Sequence, residues 1–144
     1  MAISSTRPQA LPPLRRVLIV GGGGREQALA WALSRNGEIT TVWIAPGNGG
    51  PEGQGIEIAE TDSDALVAFC RQKNVDLVVV GPEAPLAAGV ADALRSADIA
   101  VFGPDAAGAQ LEASKAWAKQ LMQDAAVPTA GHWSVHSEDD ALAV

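Results

Sequence analysis

The chain has 144 residues, a formal net charge of −7 and a single cysteine. That length suits one modest domain, or one domain plus the start of another, and can bury a core without disulfides. No block of Lys or Arg supplies the electrostatic footprint of a nucleic-acid binder, and no run reaches the roughly 18 apolar residues of a membrane span, so neither partner is expected. Cys70 cannot bridge internally and falls in an apolar helical pattern, which reads as a core thiol of a reduced, cytoplasmic protein.

Residues 1–15 carry prolines, serines and arginines but no acid, and read as a disordered leader. A transit peptide for a plastid or another organelle shares that composition and stays open. Val17-Leu18-Ile19-Val20 is a continuous apolar run ending at four glycines, the pattern of a strand buried on both faces of a parallel sheet. Arg25 to Asn36 reads as a helix, stopped by Asn36-Gly37. Thr41 to Ala45 is a second strand, closed by the loop Pro46-Gly47-Asn48-Gly49-Gly50-Pro51. Ile56-Glu57-Ile58 is a candidate short strand. Asp62 is placed to cap a helix that buries Leu66, Phe69 and Cys70, with the Lys73 stem closing the stripe.

Leu77-Val78-Val79-Val80 repeats the buried-strand signature and ends at Gly81-Pro82-Glu83; Leu86, Val90, Ala93 and Leu94 then mark a helix. Ile99 to Phe102 is a further strand, ending at Gly103-Pro104. Ala118, Leu121, Met122 and Ala125 mark one more helix. Past Pro128, Thr129 to His136 reads as a strand, and Ser137-Glu138-Asp139-Asp140 resembles a capping box. A helix start this close to Val144 suggests a chain cut within an element. The alternation predicts an α/β, Rossmann-like doubly wound parallel sheet, with ligands outside the carboxyl ends of its strands.

The turn Gly21-Gly22-Gly23-Gly24-Arg25-Glu26 opens a helix, where unpaired N–H groups and the helix dipole favour an anion and glycine lets a phosphate approach the backbone. Arg25 can add a charge-assisted hydrogen bond. Glu26 suits hydroxyls or an amine better than phosphate. The other reading of the glycines is close helix-sheet packing, which four in a row exceed. The dinucleotide fingerprint G-x-G-x-x-G/A fails, because its last position is Glu26 or Gln27, and the second strand ends in Ala45-Pro46-Gly47 without a ribose-binding acid. An NAD-binding oxidoreductase domain remains an alternative, as does a non-catalytic phosphate-binding module. Walker A is excluded by spacing. Glu83 is placed to accept ribose hydroxyls, or equally to serve as a first-turn acid of its helix. His132 and His136 flank a predicted strand and read as surface residues, not metal ligands.

Val17 to Val20 with Gly23-Gly24-Arg25-Glu26, Ala45-Pro46-Gly47-Asn48, Val80-Gly81-Pro82-Glu83-Ala84-Pro85-Leu86, Phe102-Gly103-Pro104 and Leu111-Glu112-Ala113-Ser114-Lys115 together resemble the glycinamide ribonucleotide synthetase (phosphoribosylamine-glycine ligase) family. The resemblance runs from about Arg16 to the last residue. It implies a pre-ATP-grasp domain over residues 16–113 and a truncated start of an ATP-grasp domain over 114–144. It implies an ATP-dependent ligase of purine biosynthesis that joins glycine to 5-phosphoribosylamine, giving glycinamide ribonucleotide, ADP and phosphate. Gly22, Gly23, Gly24, Arg25 and Glu26 would then take the phosphate side of the phosphoribosyl substrate. Pro46, Gly47, Asn48, Gly81 and Pro82 would line its site, and Glu83 would hold its ribose hydroxyls. Lys115 looks like a lysine that contacts ATP phosphates; its other reading is a solvated helix-start lysine. ATP and Mg2+ (or Mn2+) are implied for the longer enzyme, with the metal ligands lying beyond this chain. No catalytic residue is implied here, and the chain alone is expected to bind without turnover. The family usually has His where this chain has Gln27, which keeps hydrogen bonding and loses titration.

Overall fold

The structure is a computed structural model that describes residues 13–143; the expected leader lies outside the described residues except for its last three. The elements are β1 (Arg16–Val20), α1 (Gly24–Ser34), β2 (Thr41–Ala45), β3 (Gln54–Gly55), α2 (Ser63–Lys73), β4 (Leu77–Val80), α3 (Glu83–Ala87), α4 (Val90–Ser96), β5 (Val101–Phe102), α5 (Ala106–Ala113), α6 (Lys115–Asp124) and α7 (Glu138–Leu142). The strands form one five-stranded sheet in the order β3-β2-β1-β4-β5. Every pairing is parallel, with Val17 opposite both Val42 and Leu77 and Val20 opposite both Ala45 and Val80. This is the predicted Rossmann-like α/β class.

The apolar runs form strands because helices cover both faces. On one face α1 brings Ala30 over Ile19, Val42 and Ile44. On the other, α2 and α4 bring Leu66, Cys70, Val90, Ala91 and Leu94 against Leu18, Val20, Trp43, Val78 and Val80. Phe69 meets Trp43 edge to face with ring centroids 5.4 Å apart. Cys70 is a core thiol whose pKa burial pushes up to about 11. Asp62 caps α2 by accepting from the Ala65 N–H at 3.0 Å, and Asn74 ends that helix in the left-handed conformation.

Four elements differ from expectation. The short strand lies at Gln54–Gly55, two residues before the apolar Ile56 and Ile58, because backbone pairing to Trp43 and Ile44 creates it. The helix after β4 breaks at Gly89, whose φ of 86° ends one segment and caps the next. β5 is two residues long, without Ile99 and Ala100. Residues 129–136 form no strand and are exposed; they show β-type composition, but no described strand pairs with them.

The chain moves from β1 outward to β2 and β3, then crosses back to β4 on the other side of β1. The reversal opens a crevice at the carboxyl ends of β1 and β4, where α/β sheets of this kind bind ligands.

Candidate functional site

Three loops leave the sheet together at that crevice. Gly21 N–H donates to Ala45 O at 2.8 Å and Gly81 N–H donates to Val20 O at 2.9 Å, so pairing continues one residue beyond β1 and β4. The backbones then approach too closely for side chains. A Cβ on Gly21 would lie 2.6 Å from Pro82 Cδ, and one on Gly22 would lie 3.2 Å from Gly47 O. Gly47 itself has φ 97° and follows a cis Ala45-Pro46 bond. The structure thus brings Gly21 to Glu26, Pro46 to Asn48 and Gly81 to Glu83 into one cluster.

Glu26 is the one charged side chain in the core of the described residues, 2 % exposed. Its Oε2 accepts from Gly23 N–H at 2.7 Å and its Oε1 accepts from Arg25 Nε at 2.8 Å. A Cβ on Gly81 would fall on Oε1 of this carboxylate. Burial pushes the Glu26 carboxyl up, but the Arg25 side chain and the Gly23 N–H outweigh it and hold the pKa below the ordinary carboxylate value. Glu26 stands where the dinucleotide fingerprint would put its third glycine. The space that glycine normally frees on the helix is freed here on the sheet side, by Gly81. Glu26 therefore departs from its expected role of meeting ligand hydroxyls: both oxygens are engaged inside the protein.

What remains open is cationic and rich in donors. Glu26 satisfies Gly23, as the N3 acid of a capping box does for the N-cap. The N–H groups of Gly24 and Arg25 have no partner among the described residues, as the first turn of a helix leaves them. Nothing lies within 4 Å of a Cβ built on Gly24, so this turn faces open space. The Arg25 side chain is 57 % exposed with only Nε engaged. Its hydrogen bond to Glu26 raises its pKa, with further contributions from the charges of Glu112 and Glu83. The guanidinium is thus fixed at one atom and free at both Nη groups.

Glu83 begins α3 after the N-cap Pro82, exposed and close enough to Arg25 for its charge to act there. It is a first-turn acid of its helix. Asn48 is exposed and engaged within its own loop: its Oδ1 accepts from Gly50 N–H at 2.9 Å and its Nδ2 lies 3.5 Å from Gly23 O. Lys115 is set apart, exposed at the start of α6, which packs on α5 after the Ser114 cap. His132 and His136 are exposed on the irregular stretch before α7. Among the described residues no group of three or more His, Cys, Asp or Glu side chains comes together.

Two side chains join the cluster without a signal in the sequence. Gln27 Nε2 donates to Glu52 Oε2 at 2.8 Å, tying α1 to the loop after β2.

The sheet, its reversal point and the helices on both faces define a Rossmann-like domain with an open, donor-lined turn at the carboxyl ends of its strands. Residues 15–112 match the family model described as phosphoribosylglycinamide synthetase, N domain, and the chain belongs to that family. It is 46% identical over 127 residues to a phosphoribosylamine-glycine ligase of Rhodopirellula baltica, covering 87% of this chain and 29% of that relative. A Vibrio cholerae ligase of the same name is 46% identical over 132 residues, covering 89% and 31%. One from a Nostoc species is 50% identical over 119 residues, covering 80% and 28%. The chain thus spans less than a third of the length of these relatives. Among solved structures, the biotin carboxylase domain of a single-chain bacterial carboxylase aligns with a TM-score of 0.62 at 20% identity, covering 90% of this chain and 33% of that one. A multifunctional pyruvate carboxylase from Rhizobium etli aligns with a TM-score of 0.58 at 17% identity, covering 84% and 13%. These two likenesses bear on the fold alone.

Proposed function

We propose that this chain is the phosphoribosyl-binding part of a phosphoribosylamine-glycine ligase, which makes glycinamide ribonucleotide from 5-phosphoribosylamine and glycine at the expense of ATP. The observation that carries the reading is the open first turn of α1. The Gly24 and Arg25 N–H groups and the free Arg25 Nη atoms face outward together, a donor set suited to phosphate. Glu83, across the crevice, would accept the ribose hydroxyls. Gly22, Gly23, Pro46, Gly47, Asn48, Gly81 and Pro82 shape the cleft more than they bond within it. Residues 114–144 would open the ATP-grasp part, with Lys115 turned to ATP phosphates there. The Mg2+ ligands and the adenylate pocket would come from sequence beyond this chain.

Calorimetric titration with glycinamide ribonucleotide tests this, with NAD as the control. Saturable ribonucleotide binding, weakened about tenfold by Arg25→Ala, supports the reading; NAD binding in its place would restore the dinucleotide alternative. Ligase turnover by the 144 residues alone would refute the division of labour.

A further inference from the structure

The loop after β2 forms the outer wall of the cleft, and its composition works against order. Glycines at 47, 49, 50 and 53 give residues 46–53 a large conformational entropy to lose. Gly53 at its far end packs close to Ile44 and Ala30 and leads into β3, and the stretch before it has few contacts. Asn48 pairs with Gly50 inside the loop and lies only at the limit of hydrogen-bond distance from Gly23 O. The Gly22-Gly47 approach is backbone against backbone.

The short side-chain bond that crosses from loop to helix is Gln27 to Glu52, joining residues 25 apart at 2.8 Å. The Glu52 carbonyl faces the same Nε2 at 3.5 Å. Both groups are acceptors, so the amide must present its NH2 to them, which fixes its orientation. The Gln27 amide lies over Gly50, where a Cβ would overlap it. A side chain at position 50 would have to displace the end of the Gln27 side chain. Gln27 Oε1 is buried with no hydrogen-bond partner among the described residues, so Glu52 and not mutual satisfaction sets this placement.

We infer that Gln27 and Glu52 are positioning residues, a latch that holds loop 46–53 against the first turn of α1 and so sets the width of the ligand cleft. The consequence for binding rests on the ribosyl phosphate reading above; the holding of the loop does not.

Amide hydrogen exchange of Gly50, the loop N–H that donates to Asn48 Oδ1, read beside calorimetric titration with ribose 5-phosphate, tests both halves. Gln27→Ala and Glu52→Ala should each speed loop exchange at least about tenfold while the amides of β1 and α2 keep their rates. Gln27→Glu should do the same at pH 7, by setting two carboxylates together. Adding Glu52→Gln to it restores a donor-acceptor pair in the reverse direction, and slow exchange should return; a merely structural loss would not be rescued. The affinity for ribose 5-phosphate should fall about tenfold in the single variants and recover in the double. Unchanged loop exchange in the single variants overturns the latch. Faster exchange with unchanged affinity overturns the positioning role. If the unaltered chain does not bind ribose 5-phosphate, the reading of the cleft fails and the positioning half with it, while the exchange rates still decide the latch.

Discussion

Each edge of the sheet carries one carboxylate that gathers backbone N–H groups and a neighbouring arginine, and the two are used differently. At the amino edge, Asp76 Oδ2 accepts from the N–H groups of Arg15 and Arg16 at 3.0 and 2.8 Å, while Arg16 Nη2 donates to Oδ1 at 3.2 Å. That cluster closes on itself, staples β1 to the start of β4, and sits half in water. At the carboxyl edge, Glu26 is buried to a few percent, and its arginine keeps both Nη groups outside. Each arginine is held by one nitrogen, Arg16 by Nη2 and Arg25 by Nε, so the difference lies in the carboxylate, buried at Glu26 and partly exposed at Asp76, and in the nitrogen it leaves outside.

The largest effect should come from filling the space Glu26 depends on. Gly81→Ala puts a methyl group where Oε1 lies, and should cost about 3 kcal/mol in a denaturant unfolding curve. Glu26→Ala alone leaves Gly23 N–H unpaired and should cost about 2 kcal/mol. If the two residues trade the same space, the double variant should be less destabilised than the sum by about 2 kcal/mol. Additive costs would break the account of the missing third glycine.

Acid distinguishes the two edges next. Both carboxylates have folded pKa values below their ordinary ones: burial opposes this in each case, Arg25 and Gly23 N–H overcome it at Glu26, and Arg16 with the two N–H groups overcomes it at Asp76. A depressed folded pKa contributes stability that is full above the unfolded value and is lost as pH falls through the folded one. The losses therefore begin below ordinary values of 4.5 for Glu26 and 3.8 for Asp76. Glu26→Gln should flatten the upper part of the acid unfolding profile and Asp76→Asn the lower part. At pH 7 Asp76→Asn should cost about 1 kcal/mol and leave ligand affinity unchanged. A loss of affinity on Asp76→Asn would show that the amino edge communicates with the cleft.

How much of this was legible in the sequence follows from where each signal lies. β1, β2 and β4 are continuous apolar runs because both faces of a parallel sheet are covered, and Leu66 and Cys70 fall at helical spacing because α2 packs by one face. Gln54–Gly55 carries no side-chain signal, since its partner's backbone alone makes it a strand. Residues 129–136 have the residue types of a strand and no partner, which composition cannot report. The turn at Gly21 to Glu26 was readable as the open start of a helix, but the direction of Glu26 was not: its burial depends on Gly81, 55 positions away in the chain. The tie from Gln27 to Glu52 is hidden for the same reason.

Arg25→Ala should move binding far more than stability. The side chain is exposed, so unfolding should shift by less than about 1 kcal/mol, while the loss of a charge-assisted hydrogen bond to phosphate should weaken glycinamide ribonucleotide binding about tenfold. Arg16→Ala, removing the corresponding arginine of the amino edge, should do the reverse, costing stability with no change in affinity. Equal effects on both quantities in both variants would erase the distinction between the two edges.

The smallest effect concerns the residue beside the buried carboxylate. Gln27→His replaces a neutral donor with one that titrates near pH 6.5 and faces the Glu52 carboxylate. Pairing with Glu52 would raise the imidazole pKa in the folded chain, so the added stabilisation is full below the unfolded value and disappears as pH rises through the folded one. Exchange of the Gly50 amide should then be slow at pH 5.5 and faster at pH 8 after correction for intrinsic rates, whereas the unaltered chain should show no such dependence. The change should amount to about 0.5 kcal/mol in loop opening, the scale of a partly exposed ion pair. A pH-independent loop in the Gln27→His variant would mean that the wall of the cleft is held by the glycine backbone contacts alone, and that the carboxyl edge, like the amino edge, relies on one carboxylate.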